Sequence, residues 1–205
     1  MNADLLARAQ AHIIESARVT NTLVDECLDS IGEAADIIAG SFGNGGKLLL
    51  CGNGGSAADT QHVAAEFVCR LSKDFERPGL PAISLTTDTS FLTAFTNDFG
   101  FEDIFARQVT TLGRPGDVLI AISTSGSSGN VNRAAIAAHE AGMSVIALTG
   151  RDGLTEKTTV TISVPSTDTQ CIQEAHLTIE HILCDLVEQL LFGSVGQPPG
   201  GLTGL

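Results

Sequence analysis

The sequence contains no Trp and no Tyr. It therefore offers no indole or phenol platform on which nucleic-acid bases would stack. Basic residues are also scarce: 11 Lys and Arg face 24 Asp and Glu, a formal net charge of −13. Without a basic stripe to displace counterions from a polyanion, neither nucleic acid nor an anionic membrane is expected as a partner. No apolar run reaches the roughly 18 residues of a membrane-spanning helix. The start, MNADLLARAQAH, has neither the basic nor the apolar region of a signal peptide. Cysteine pairs are missing too. Cys27, Cys51, Cys69, Cys171 and Cys184 are odd in number and scattered, with no CxxC. Reduced thiols in a cytoplasmic protein are the expectation.

What is present is a core-forming chain of 205 residues, 43% of them hydrophobic, enough for one full domain. Residues 3–42 carry apolar side chains at helical spacing: Leu5, Leu6, Ala9, Ile13, Ile14 and Ala17, then Leu23, Cys27, Leu28, Ile31 and Ala34. FGNGG (42–46) breaks that pattern. Beyond it the chain alternates. KLLLC (47–51), PAISL (81–85), DVLIAIS (117–123), SVIALTG (144–150) and TVTISVP (159–165) read as strands. Helices are expected at 56–71, around 88–96 and 102–112, at 128–141 and at 168–192. The strands are uninterrupted apolar runs, the pattern of strands covered on both faces. The expected fold is α/β: a three-layer αβα sandwich around a parallel sheet of about five strands. It would occupy residues 43–192, after an N-terminal helical segment (1–42) and before a mobile Gly/Pro tail (193–205).

Two loops at expected strand ends stand out. CGNGGS (51–56) follows the first strand, and STSGSSGN (123–130) follows the third; both run into helices. Helix N-termini present unpaired N–H groups and a partial positive charge. An acidic protein can therefore hold an anion with backbone dipoles and hydroxyls alone. The first loop is neither a Walker loop nor a dinucleotide-binding GxGxxG. Alone, it is as consistent with a tight turn closed by a serine N-cap as with an anion site. Seven of the eight residues in the second loop are Ser, Thr or Gly, more hydroxyl than capping requires, and this favours a phosphate.

The helix after the first loop carries His62 and Glu66 at i, i+4, on one face. The closing helix, IQEAHLTIEHILCDL (172–186), offers Gln173 and His181, about two turns apart. It also offers His176 and Glu180 on a different face. Spacing does not choose between these pairs.

In order and spacing, five segments resemble the bacterial phosphoheptose isomerases of the sugar isomerase (SIS) family: CGNGGSAADTQHVAAEF (51–67), TNDFGF (96–101), ISTSGSSGNV (122–131), ALTGRDG (147–153) and IQEAHLTIEHILCDL. The resemblance runs from about residue 42 to about residue 192. It implies an aldose–ketose isomerase that converts sedoheptulose 7-phosphate to D-glycero-D-manno-heptose 7-phosphate through an enediol, the entry to nucleotide-activated heptose and lipopolysaccharide. By resemblance, Glu66 is the general base and His181 the general acid. His62, Glu66, Gln173 and His181 would hold one zinc ion per subunit. Asn53, Gly54, Gly55, Asn97 and Asp98 would contact the sugar, with Arg70 nearby. Ser123, Thr124, Ser125 and Ser128 would hold the phosphate, helped by Ser56. This choice leaves His176 and Glu180 as surface or packing residues. The apolar faces of the helices in residues 1–42 exceed what one sandwich would cover and point to that segment as oligomerising; the resemblance implies a homotetramer with sites between subunits, the closing helix delivering His181 to a neighbour's Glu66. At Cys171 the chain departs from the many members that carry Arg there.

Two rival readings remain open on the sequence. One is an SIS-fold isomerase of another phosphosugar. The other is a non-catalytic SIS module that binds a replication initiator or senses phosphosugars. The acid–base set favours the enzyme, because such modules tend to lack it.

Overall fold

A computed structural model of the chain describes residues 2–73 and 75–193. Twelve of the thirteen tail positions expected to be mobile, 194–205, lie outside the described residues. Two helices come first, α1 (Ala3–Glu26) and α2 (Leu28–Gly43). Asn2 caps α1 with its side chain, and α2 stops where Asn44 and the positive-φ Gly45 follow. The rest alternates: β1 (Leu48–Gly52), α3 (Gly55–Val68), β2 (Ala82–Ser84), α4 (Thr89–Phe99), α5 (Ile104–Leu112), β3 (Val118–Ser123), α6 (Gly129–Glu140), β4 (Ser144–Thr149), β5 (Val160–Ser163) and α7 (Thr169–Phe192).

All four strand pairings are parallel, in the order β2-β1-β3-β4-β5. Every residue of β1 and β3 is buried, so both faces of the sheet are covered, as the apolar runs require. Alternate residues feed two separate cores. Leu48, Leu50, Val118, Ile120 and Ile146 pack with α2, α3 and α7. Leu49, Cys51, Leu119, Ala121 and Val145 pack with α5 and α6. These are the three expected layers.

The helix after the first loop is shorter than its sequence suggests, ending at Val68 rather than Leu71. Its last carbonyls are taken from outside the helix. Arg77 donates to Glu66 O and Phe67 O, and Leu80 N also donates to Phe67 O. The chain is thereby turned into the connection to β2. Much of α1 lies on the surface: Leu5, Leu6, Ile13 and Ile14 are all more than half exposed. No helix among the described residues is long and apolar enough to cross a membrane.

Candidate active site

The strand order places the two unusual loops side by side. From β1 the chain passes through α3 to β2 on one side; from β3 it passes through α6 to β4 on the other. The point between β1 and β3 is where the winding reverses. At such a switch point the loops diverge and leave a crevice beyond the carboxyl ends of the strands. CGNGGS and STSGSSGN form its two lips.

Two glycines of the first lip have distinct physical reasons. Gly54 is the N-cap of α3 at φ 58, ψ −121, a conformation that L side chains avoid. Gly55 leaves room for a neighbour: a Cβ there would sit 2.6 Å from Nε2 of Gln173 and 3.1 Å from its Oε1. The turn is therefore not closed by a serine N-cap. Ser56 lies within the first turn of α3 and is buried. In the second lip, Ser123 is buried and donates to Ser128 Oγ at 3.1 Å. Ser125 and Ser127 are exposed, with their hydroxyls 3.0 Å apart. Gly126 O accepts from Asn132 Nδ2 and from Thr155 N, which braces the loop from below. Neither α3 nor α6 has a side-chain cap; in α3 Ala57 N turns back to Gly54 O, and the N–H groups that open the two helices are left for another acceptor.

The lips are tied across the crevice by a reciprocal amide pair. Asn53 Nδ2 donates to Asn130 Oδ1 at 2.8 Å, and Asn130 Nδ2 donates back to Asn53 Oδ1 at 2.9 Å. Sequence reasoning named Asn53 and missed Asn130. Its place at the start of α6, next to the hydroxyl loop, was the available signal.

Below the lips, α3 and α7 pack together. His62 Nε2 and His181 Nε2 are 2.9 Å apart, their rings edge to face. Glu66 Oε1 lies 3.8 Å from His62 Nε2, and Glu66 Oε2 is buried without a partner. Gln173, further back on α7, lies against Gly55. One chain thus gathers His62, Glu66, Gln173 and His181 along one seam. His181 meets the His62 of its own chain, and that His62 in turn lies 3.8 Å from Glu66 Oε1. Not everything converges. Asn97 and Asp98 sit exposed at the end of α4 and bond to each other at 2.8 Å. Arg70 lies exposed beyond the end of α3.

Could these residues hold a metal? Among the described residues, no three His, Cys, Asp or Glu side chains form a ready cage. What the seam has instead is two convergent imidazole nitrogens beside a carboxylate whose second oxygen is orphaned. That N,N,O set suits zinc. A fourth donor would be an amide oxygen such as that of Gln173. The donor set fits.

The alternative pair is not on the surface. His176 is fully buried, with Nε2 3.1 Å from Thr149 O, and burial holds its pKa down at about 4. Glu180 is 2% exposed and neither carboxylate oxygen has a partner. Burial first, and then the Asp59 carboxylate, pushes its pKa up to about 8. Both belong to packing. Cys171 is buried in the core and brings no cation to the crevice.

Comparison with known proteins agrees with this geometry. The SIS domain family matches residues 12–150. The phosphoheptose isomerase of Geotalea daltonii is 50% identical over 191 residues, spanning 92% of this chain and 98% of that protein. The structure of phosphoheptose isomerase GmhA from Neisseria gonorrhoeae superposes with a TM-score of 0.82 at 46% identity, over 90% of this chain and 99% of the other. A phosphoheptose isomerase from Francisella tularensis gives 0.86 at 37% identity, over 92% and 100%. With the SIS domain matched over residues 12–150 and half of its aligned residues shared with a relative that it spans almost end to end, this protein belongs to the SIS-domain phosphoheptose isomerases.

Proposed function

We propose that the protein interconverts sedoheptulose 7-phosphate and D-glycero-D-manno-heptose 7-phosphate, at the start of nucleotide-activated heptose synthesis. The observation that carries this is the meeting of His62, Glu66 and His181 below the anion-ready lips, in a chain of this family. The phosphate lies against the hydroxyls of Ser123, Thr124, Ser125 and Ser128 and the N–H groups opening α6. Ser56 supports the crevice from its buried position, and Asn53 with the Gly54–Gly55 backbone orients the sugar.

Glu66 takes a proton from C1 of the ketose, and the electron pair left behind forms the C1–C2 double bond of an enediol. His181 carries a proton between O1 and O2, a task suited to an imidazole, which can both give and take a proton at its ring nitrogens. Glu66 then returns its proton to C2, leaving the aldehyde at C1. A carboxylate can serve in both directions because it gives back the proton that it took. His62, Glu66, Gln173 and His181 would hold one zinc ion per subunit, and when bound it would supply Lewis-acid polarisation of the carbonyl. NMR of the purified protein with sedoheptulose 7-phosphate, with and without a chelator, tests the reading. New anomeric signals of the aldose are expected, and their absence even with added zinc overturns it.

The phosphate lip makes a further prediction. Thr124→Ala and Ser125→Ala each remove a neutral donor, so phosphosugar binding should weaken by about threefold to tenfold. The wild-type affinity should vary little with salt, since dipoles and hydroxyls are not screened as cations are. Titration calorimetry at two ionic strengths checks this; a steep salt dependence would reveal a missed basic contact.

The assembly we propose is a cytoplasmic homotetramer, with residues 1–42 as its oligomerising segment and neighbouring subunits walling the sites. Its support is exposed apolar surface: Leu5, Leu6, Ile13 and Ile14 on α1, and Phe99 and Phe101 beside the unattached Asn97–Asp98 pair. Closed symmetric assembly is the usual way to cover such a surface. Light scattering should give four times the chain mass, and Leu6→Glu with Ile13→Glu should shift it toward smaller species. A monomer with full activity at low concentration would refute the assembly.

A further inference from the structure

Arg77 lies in the link between α3 and β2, yet its side chain is completely buried. Each guanidinium nitrogen has a partner. Nε donates to Glu188 Oε1 at 2.7 Å, Nη2 to Glu66 O at 2.9 Å, and Nη1 to Phe67 O at 2.7 Å and Pro78 O at 3.0 Å. Glu188 is itself 2% exposed and also accepts from Leu71 N at 3.3 Å. Two of these contacts fall on the last turn of α3, one of them on the carbonyl of Glu66. The carboxylate that answers them belongs to α7, seven residues after His181. Seven residues are two helical turns, so Glu188 and His181 share a face of α7.

An ordinary helix end does not call for this. Water or a glycine C-cap would satisfy the carbonyls at far lower desolvation cost. A buried ion pair is a weak source of stability, because apolar residues of similar volume often do as well or better. What a planar guanidinium does supply is geometry: a rigid fork with donors in fixed directions. Here the fork grips two carbonyls of one helix and a carboxylate of the other. It fixes how far α3 can slide or roll against α7 at one end of the seam, while Gln173 meets Gly55 at the other. Between these ends lie the contacts that depend on that register: His62 to His181 at 2.9 Å and His62 to Glu66 at 3.8 Å.

We propose that the buried Arg77–Glu188 pair is a positioning clamp, holding α3 and α7 in the register that sets Glu66 and His62 opposite His181. The proposal rests on the acid–base reading of those residues, although the clamp itself can be tested without turnover.

Two variants separate its parts. Arg77→Lys keeps the charge and loses the fork; Glu188→Gln keeps the acceptor oxygen and loses the charge. In Arg77→Lys, kcat on sedoheptulose 7-phosphate should fall by about tenfold to a hundredfold, the scale of a misplaced catalytic group. KM should change by less than about threefold, because the phosphate lip stands on β3 and α6, which the clamp does not touch. Imidazole 15N signals of His62 and His181 should move at fixed pH, while those of His12 and His139 stay in place. A Val145→Ala control, in the core on the opposite face of the sheet, should lower the melting temperature without moving the His62 and His181 signals. Should Arg77→Lys fail to fold, Glu188→Gln carries the test, with smaller shifts of the same two signals. Unmoved signals and a wild-type kcat in a folded clamp variant overturn the proposal. So does a control of equal melting loss that shifts the same signals equally. If the wild type turns over no sugar phosphate, the proposed reaction fails while the imidazole signals still decide the clamp.

Discussion

Glu66→Gln is expected to lower turnover by about a hundredfold or more, the usual scale for a general acid–base group, while the protein stays folded. The amide matches the carboxylate in shape but cannot accept and return a proton. The local structure should tolerate it, since Glu66 Oε2 has no partner to lose and Oε1 lies 3.8 Å from the nearest imidazole nitrogen. His181→Gln should do comparable damage by removing the group that serves the two oxygens. Steady-state kinetics on the purified variants, with melting temperatures as a folding check, decides the matter. Near-wild-type turnover in Glu66→Gln would sink the assignment of the base. Mixing is a second test. His62 and His181 meet within one chain, so Glu66→Gln and His181→Gln subunits exchanged into mixed oligomers should regain no activity. Recovery would mean that the pair operates across an interface.

The layers of the fold could be read from the sequence because burial on both faces leaves an unmistakable trace. KLLLC and DVLIAIS have no polar alternation, and β1 and β3 are buried throughout. Strand order leaves no such trace. Periodicity describes one strand at a time, so the reversal between β1 and β3, which creates the crevice, became visible only in three dimensions. The site divides in the same way. The hydroxyl loop announces itself locally, whereas the 2.9 Å approach of His62 to His181 joins residues 119 apart in the chain. Spacing along α7 offered Gln173/His181 and His176/Glu180 equally; only the resemblance selected the first pair. A helical repeat says that His176 and Glu180 share a face but not that the face is buried. Arg77 was invisible for a similar reason: a lone arginine in ERPGL looks like a solvated loop residue until its four partners are seen. The expected end of α3 was missed with it, since the carbonyls that end the helix are captured by that same side chain.

The buried carboxyl of Glu180 should leave its mark on stability. Its folded-state pKa is raised to about 8 from the ordinary 4.5, first by burial and then by Asp59 facing it from α3. A raised carboxyl pKa means that the folded protein keeps a proton which the unfolded chain gives up. Its contribution is therefore fully present below pH 4.5 and is lost as the pH climbs toward 8. His176 acts in the opposite sense. Its pKa is depressed to about 4 from 6.5, so its contribution is present above pH 6.5 and is lost as the pH falls toward 4. Between 4.5 and 6.5 the two slopes oppose each other; from 6.5 to 8 that of Glu180 is left alone. Over this last interval of 1.5 pH units Glu180 should contribute a loss of about 2 kcal/mol at 1.36 kcal/mol per unit, or roughly 4–8 °C in melting temperature for a chain of this size, and the exposed His12, raised by its bond to Glu174, acts in the same direction. Glu180→Gln should abolish the Glu180 share of that decline. The amide has no proton to lose, although it remains a buried polar group without a partner, so the variant should gain nothing at pH 5 and its advantage should grow toward pH 8. Melting curves of wild type and variant at pH 5, 6.5 and 8 test the sign as well as the size. Parallel profiles would show that Glu180 keeps the same proton occupancy folded and unfolded, and a variant that declines more steeply than the wild type would reverse the assignment.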